Sequence, residues 1–198
     1  MNTALLRRRD VLFSLAAMAC LPPASLAAPG TSLPGDSVYQ LKAALTDQDG
    51  RPFELSSLRG HTVLASMFYA SCEMVCPMIF ETLHGVLKAL PAEERLNTRV
   101  LMVSFDPARD SVEVLKKTAQ AHACDAQWTL ARGDDDTARK LAAVLGVQYR
   151  RLASGEFNHS STIDLLDRDG RIAARSGQLG KLDAALVKAV HQAHLAQS

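Results

Sequence analysis

The run Val63-Leu64-Ala65-Ser66-Met67-Phe68-Tyr69 is apolar at nearly every position rather than at every second one. A strand with one wet face alternates, so an unbroken run reads as a strand covered on both faces, as in a parallel sheet between layers of helix. Val100-Leu101-Met102-Val103-Ser104 is a second run of the same kind. Between them Ile79, Phe80, Leu83, Val86, Leu87 and Leu90 recur at helical spacing and offer the sheet one apolar stripe. Strand, helix and strand in this order form the crossover unit of α/β proteins.

The rest of the chain extends that unit. Asp49-Gly50 between residues 39–45 and 53–55 is a type I′ turn signal and predicts an opening β-hairpin. Asp110, with Glu113 three residues on, reads as an acidic capping box for a helix through about His122. Residues 128–131 read as a weak strand or an extended link. Asp134-Asp135-Asp136 opens a helix that turns Ala138, Leu141, Ala142 and Leu145 inward and stops at Gly146. Three aspartates in that place complement the helix dipole rather than build a metal site. Residues 147–152 are strand-like and 154–161 form a polar loop. Residues 162–166 and 171–174 flank the Asp169-Gly170 turn as a second hairpin. A last helix, about 181–194, should bury Leu182, Ala185, Leu186, Ala189 and Val190. The order predicts an α/β, thioredoxin-like fold: a central mixed sheet flanked by helices, with an N-terminal β-hairpin.

Arg7-Arg8-Arg9 precedes an apolar segment, 11–21, that is shorter than the roughly 20 residues needed to span a bilayer. Arg8-Arg9-Asp10-Val11-Leu12 is similar to a twin-arginine signal, and Ser25-Leu26-Ala27 suits cleavage after Ala27. An ordinary secretory signal, a lipoprotein site at Ala19-Cys20 and an uncleaved anchor are the alternatives, the last disfavoured by Pro22 and Pro23. Residues 1–27 are therefore expected to be a signal peptide, 28–37 a flexible lead-in and 38–198 one domain. The expected location is periplasmic, with membrane contact only through a retained leader. With 22 basic and 21 acidic residues, the charge balance offers no case for nucleic acid. Export into an oxidising compartment leaves Cys72, Cys76 and Cys124 to consider, with Cys124 the odd, buried thiol.

Cys72-Glu73-Met74-Val75-Cys76-Pro77 sits at the carboxyl end of the first buried strand, where open α/β sheets keep their chemistry. Pro77 suits a first helical position, which places Cys76 at a helix N-terminus, where the dipole favours a thiolate. Dithiol exchange, peroxide reduction and soft-metal binding all fit the two cysteines. A thioredoxin-type exchanger is expected to carry Cys-x-x-Cys and a facing cis-proline, yet no proline follows Pro107. A peroxiredoxin is expected to carry Thr or Ser three residues before its nucleophile, where this chain has Tyr69 or Glu73. His159, just before a strand, is the candidate third donor of a three-coordinate site open on one side. On spacing alone it reads equally as a surface histidine. His191 and His194 share a helix face without a third partner, and His61, His84 and His122 have no supporting pattern.

From residue 39 to the last helix the chain resembles the Sco/SenC family of copper-handling proteins. The matching residues are Phe68-Tyr69 before Cys72-x-x-x-Cys76-Pro77, then Ser104-Phe105-Asp106-Pro107-Ala108-Arg109-Asp110, then His159-Ser160-Ser161 before a strand ending Asp167-Arg168-Asp169-Gly170. The resemblance implies a thioredoxin-like fold and one copper held by Cys72, Cys76 and His159. It also implies delivery of that copper to, or reduction of the cysteines of, the CuA centre in subunit II of cytochrome c oxidase. Glu73-Met74 stands where the family usually has Pro-Asp, which opens Met74 as an extra soft ligand and leaves the recipient enzyme open. A redox-active Cys72/Cys76 dithiol that reduces a partner protein is the alternative function. Either role calls for a thiol reductant upstream, because metal binding requires reduced, deprotonated cysteines. Asp106 and Asp110 are expected to orient the site or meet a partner.

Overall fold

The computed structural model describes residues 32–196; the expected signal peptide and residues 28–31 lie outside them. A short 3-10 turn, Val38–Gln40, leads into the hairpin of β1 (Ala44–Asp47) and β2 (Pro52–Glu54). The Asp47 carboxylate accepts from the amides of Asp49 and Arg51, at 2.9 Å each, and Gly50 takes φ 78°; the hairpin forms as expected, but its turn is not the expected type I′, because Asp49 keeps a negative φ and the turn spans Asp47 to Gly50. Of the expected flexible lead-in, Ser37 is tied down instead, its hydroxyl donating to the Asp169 carbonyl at 2.5 Å.

β3 (Thr62–Phe68) is buried at every position, as its composition requires. After the cysteine loop come α1 (Val75–Ala89), a short α2 (Ala92–Asn97), β4 (Thr98–Ser104) and α3 (Val112–Ala121). β5 (Trp128–Arg132), α4 (Asp135–Leu145), β6 (Tyr149–Arg151) and β7 (Phe157–His159) follow. β8 (Ile163–Leu166), β9 (Ile172–Ser176) and α5 (Ala184–Leu195) complete the chain. Seven strands form one sheet in the order β2-β1-β5-β4-β3-β8-β9, with β3, β4 and β5 parallel and each outer hairpin joined to them through an antiparallel strand, β1 or β8. This is the mixed, helix-flanked sheet of a thioredoxin-like fold. β6 and β7 stand apart as a two-stranded ribbon.

Several expectations need correction. Residues 128–132 are no weak link but a central strand, with Leu130 and Ala131 fully buried; the flanking Thr129 and Arg132 hide it in the sequence. The α3 cap is Ser111, whose hydroxyl accepts from the Val114 amide at 3.3 Å, and Asp110 turns inward instead. In α5 the buried face is Leu186, Val190 and Ala193, while Leu182 is 54% exposed and Ala185 is exposed, because the helix starts only at Ala184. Residues 157–159, expected to lie in a polar loop, are strand β7. By contrast Asp134 caps α4 by accepting from the Thr137 amide at 2.7 Å, and Gly146 closes it with φ 67°.

The register decides where the loops converge. Phe68 lies opposite Ser104, so the segments after β3 and β4 leave the sheet at the same edge. β8 runs antiparallel to β3, with Asp164 opposite Ala65, and the Ser66 hydroxyl donates to the Thr162 carbonyl at 2.6 Å. The residues that precede β8 therefore return to that edge.

Candidate metal centre

The sulfurs come from the turn between β3 and α1. The Cys72 amide donates to the Tyr69 carbonyl at 3.2 Å, and α1 begins at Val75 with Met74 as an N-cap that supplies no side-chain hydrogen bond. The first amides of a helix have no partner within it. Here the Cys76 amide points at the Cys72 sulfur, 3.3 Å away, so that the sulfur itself serves as the cap. Partial burial pushes the Cys72 thiol up, but the Cys76 amide, the Cys76 thiol and the amides of Met74 and Val75 outweigh it and bring the thiol below its ordinary range.

The thiolate role expected of Cys76 thus falls to Cys72. Cys76 is the second residue of α1, and Pro77 the third rather than the first; proline is tolerated there because the amide it lacks would be unpaired. Cys76 is 2% exposed, and burial, reinforced by Cys72 and Asp110, drives its thiol far above the ordinary range. The helix start favours the thiolate at Cys72, and Cys76 is the anchored partner. Beneath the loop, buried Asp110 accepts from the Ala70 amide at 3.0 Å and from the Ser104 hydroxyl at 2.5 Å, tying the turn to the end of β4. Burial raises its own pKa.

The imidazole comes from the ribbon. His159 ends β7 opposite Tyr149. Its Nδ1 lies 3.1 Å from the Ser160 carbonyl and 3.1 Å from the Ser161 hydroxyl. A proton on Nδ1 given to that carbonyl leaves Nε2 with a free lone pair, the arrangement in which histidine binds metals. The ring stands edge-on to Tyr69, with centres 5.8 Å apart and planes at 90°, and 5.2 Å from the Phe105 ring. The ribbon is latched to the body at three points. Buried Asp106 accepts from both Arg109 and Arg151, Arg109 donates to the Gly155 carbonyl at 2.8 Å, and the Tyr69 hydroxyl donates to Glu156 at 2.6 Å. Tyr69 and Arg109 stand in the sequence only as part of the family pattern, and Arg151, Gly155 and Glu156 carry no signal there, because their partners lie 45 to 87 residues away in the chain.

One donor atom from each of Cys72, Cys76 and His159 lies within 4.8 Å of the other two. A three-coordinate ion with metal–sulfur bonds of about 2.3 Å needs its sulfurs about 4 Å apart, so small adjustments suffice. Two sulfurs and one imidazole are a soft, copper-suited donor set. Met74 is 75% exposed. Cys124 lies outside the cluster, half-buried, with its thiol pushed up to about 12 by burial and by Asp125. Among the other described histidines, His84 contacts the His122 carbonyl at 2.7 Å, His122 stacks on Phe80, and His191 pairs with Glu94 at 2.5 Å.

The sequence profile of the SCO1/SenC family matches residues 35–193. A SCO2-like protein of Rickettsia prowazekii is 26% identical over 160 residues, 74% of this chain and 77% of that one. The SCO1 homologue of Bacillus subtilis is 26% identical over 130 residues, 64% and 67% of the two chains. Among solved structures, Bradyrhizobium japonicum ScoI with copper bound superimposes with a TM-score of 0.65 at 24% identity, covering 77% of this chain and 96% of that one. Arabidopsis thaliana ScoI with copper bound gives 0.68 at 18% identity, covering 76% and 96%. At such identities the structural likeness speaks for the fold.

Proposed function

The chain belongs to the SCO1/SenC family, and from that premise we propose that it is a copper metallochaperone holding one ion on Cys72, Cys76 and His159. The observation that carries this reading is the convergence of those three donors within 4.8 Å, from a turn and from a ribbon more than eighty residues apart. The copper-bound forms of two structural relatives support it. The proposed place of action is the periplasm, reached through the twin-arginine-like leader. The proposed recipient is the CuA centre of cytochrome c oxidase subunit II or another copper enzyme on that side of the membrane.

The division of labour proposed here rests on the unequal burial of the two cysteines. Cys72, already favoured as a thiolate, takes the ion first. Cys76 gives up its proton on binding, and His159 closes the third side with Nε2. Two thiolates leave a net charge of −1 around Cu(I) and zero around Cu(II), which a half-open site tolerates in either state. The test is anaerobic titration with Cu(I) and Cu(II) against a competing chelator, for wild type, Cys72→Ser and His159→Ala. Loss of tight binding in both variants is expected; a His159→Ala protein that holds copper as tightly as wild type would sink the reading.

A second reading, disulfide reduction in a partner, would draw on the unequal pair of thiols. The Cys72 thiolate would attack one partner sulfur and expel the other as thiolate. Cys76, once deprotonated, would then attack the Cys72 sulfur, releasing the partner's second thiolate and leaving a Cys72–Cys76 disulfide for an upstream thiol reductant. A His159→Ala protein that loses copper yet reduces disulfides at the wild-type rate would place this activity first.

A further inference from the structure

The near balance of charge over the chain conceals one place where it fails. Beside the candidate metal centre a hollow of about 410 Å³ is lined by Arg139, Arg150 and Arg151 over aromatic side chains, with Asp135 as the carboxylate among its lining residues. The guanidinium of Arg151 sits 4.9 Å from the Phe157 ring centre and that of Arg139 6.0 Å from the Tyr149 ring centre. Stacking of this kind occupies the face of a guanidinium and orients its N–H edge for a planar acceptor. Buried Asp106 serves both Arg109 and Arg151, and the Glu156 carboxylate also acts on Arg109, so among the described residues the cations this surface leaves without such partners are Arg139 and Arg150. Arg150 is exposed and forms no ion pair among the described residues.

A second hollow, of about 550 Å³, is lined by Gln148, Tyr149, Arg150, Asn158, His159 and Ser160. Tyr149 and Arg150 line both, so the two adjoin, and the basic surface runs up to the imidazole. Arginines braced on aromatic rings are the composition of protein–protein contact centres. We infer that this surface docks an acidic segment of the protein that exchanges copper with the chain, its carboxylates meeting Arg139 and Arg150 while its own copper ligands face His159. The copper part of this inference rests on the function proposed above; the acidic-segment part rests on charge and shape alone. Electrostatic matching at such a rim speeds encounter and makes it salt-sensitive, and it sets which way round the partner lands.

The test is titration of the full, metal-free chain with a short glutamate-rich peptide, followed by fluorescence and by backbone amide shifts. Peptide binding that weakens with added salt, shifts at Arg150, Asn158 and His159, and an affinity loss of about tenfold or more in Arg139→Glu/Arg150→Glu are expected. Should that double variant misfold, Arg150→Ala alone, at an exposed position, is expected to lose a smaller fraction in the same direction. Unchanged peptide affinity in the folded variants, or shifts confined to other surfaces, would overturn the inference. So would a single-stranded DNA oligomer of equal charge that binds as well and is as sensitive to the variants, since that describes indifferent attraction of polyanions. Copper titration of the same proteins separates the two readings: absent copper binding in wild type sinks the chaperone function and leaves the peptide result to judge the surface.

Discussion

The two sides of the candidate centre are built on opposite principles. The sulfur side hangs from β3, buried at all seven positions, and from α1, whose apolar face is packed into the same core. The imidazole side rides on a ribbon of two three-residue strands outside the main sheet, held by one shared carboxylate, one carbonyl contact, one tyrosine hydroxyl and a cluster of rings. Hydrophobic burial is spread over many residues and resists the loss of any one polar contact. A polar latch is concentrated in a few groups, and removing one partner strands the others. Sulfur chemistry and imidazole placement should therefore be separable by mutation.

The largest expected effect is on the sulfur side. Cys72→Ser should lower Cu(I) affinity by about a thousandfold or more, some 4 kcal/mol, measured by chelator competition, while urea denaturation stays within about 0.5 kcal/mol of wild type. A large loss of stability would mean that the turn, not the core, holds the cysteines. Next comes the core itself: Phe80→Ala removes a fully buried ring that meets Phe68 edge-on and stacks on His122, and should cost about 3–5 kcal/mol in denaturant unfolding.

The ribbon should respond more modestly and more selectively. Arg151→Met is expected to weaken copper about 10- to 100-fold, as loss of a supporting group does, with the pH profile of Cys72 alkylation unchanged. Movement of that profile would merge the two sides into one. Tyr69→Phe removes the 2.6 Å bond to Glu156 and should cost about 1 kcal/mol, read as a several-fold loss of copper affinity.

The smallest effect is on acid stability and tests the core side without touching the metal ligands. Burial, and secondarily the neighbouring His84, lowers the pKa of His122 below its ordinary 6.5. The fold therefore favours the neutral ring. The stability this provides is present above pH 6.5 and is lost as pH falls through the lower folded value. Melting temperature should decline on that acid side, and His122→Gln should flatten the decline; an identical decline in the variant would assign it to other groups.

What could be read in the sequence follows the same division. β3, β4 and α1 announce themselves through unbroken or periodic apolar residues, and the turn glycines and the Asp134 cap signal locally. β6 falls within residues read as strand-like, but β7 is only Phe157–His159, too short for alternation to be visible, so the pairing of the ribbon is hidden in the sequence although His159 itself stands out. Which cysteine the helix start activates was also hidden. Proline fits anywhere in a first turn, and only the path of the loop places the Cys76 amide on the Cys72 sulfur. The arginine hollow leaves no mark on composition, which averages over the whole chain what folding gathers into one place.

The unequal depth of the two sulfurs has a consequence for unloading. If copper sits as proposed, an approaching acceptor can touch the half-buried Cys72 and the ribbon imidazole, but not the sulfur that is 2% exposed. Departure then has a built-in sequence: the rim bonds are exchanged one at a time for the acceptor's own, and the innermost Cu–S bond is the final tether. The ion would never pass free through solvent, and the deep thiol would regain its proton only when the cargo had gone.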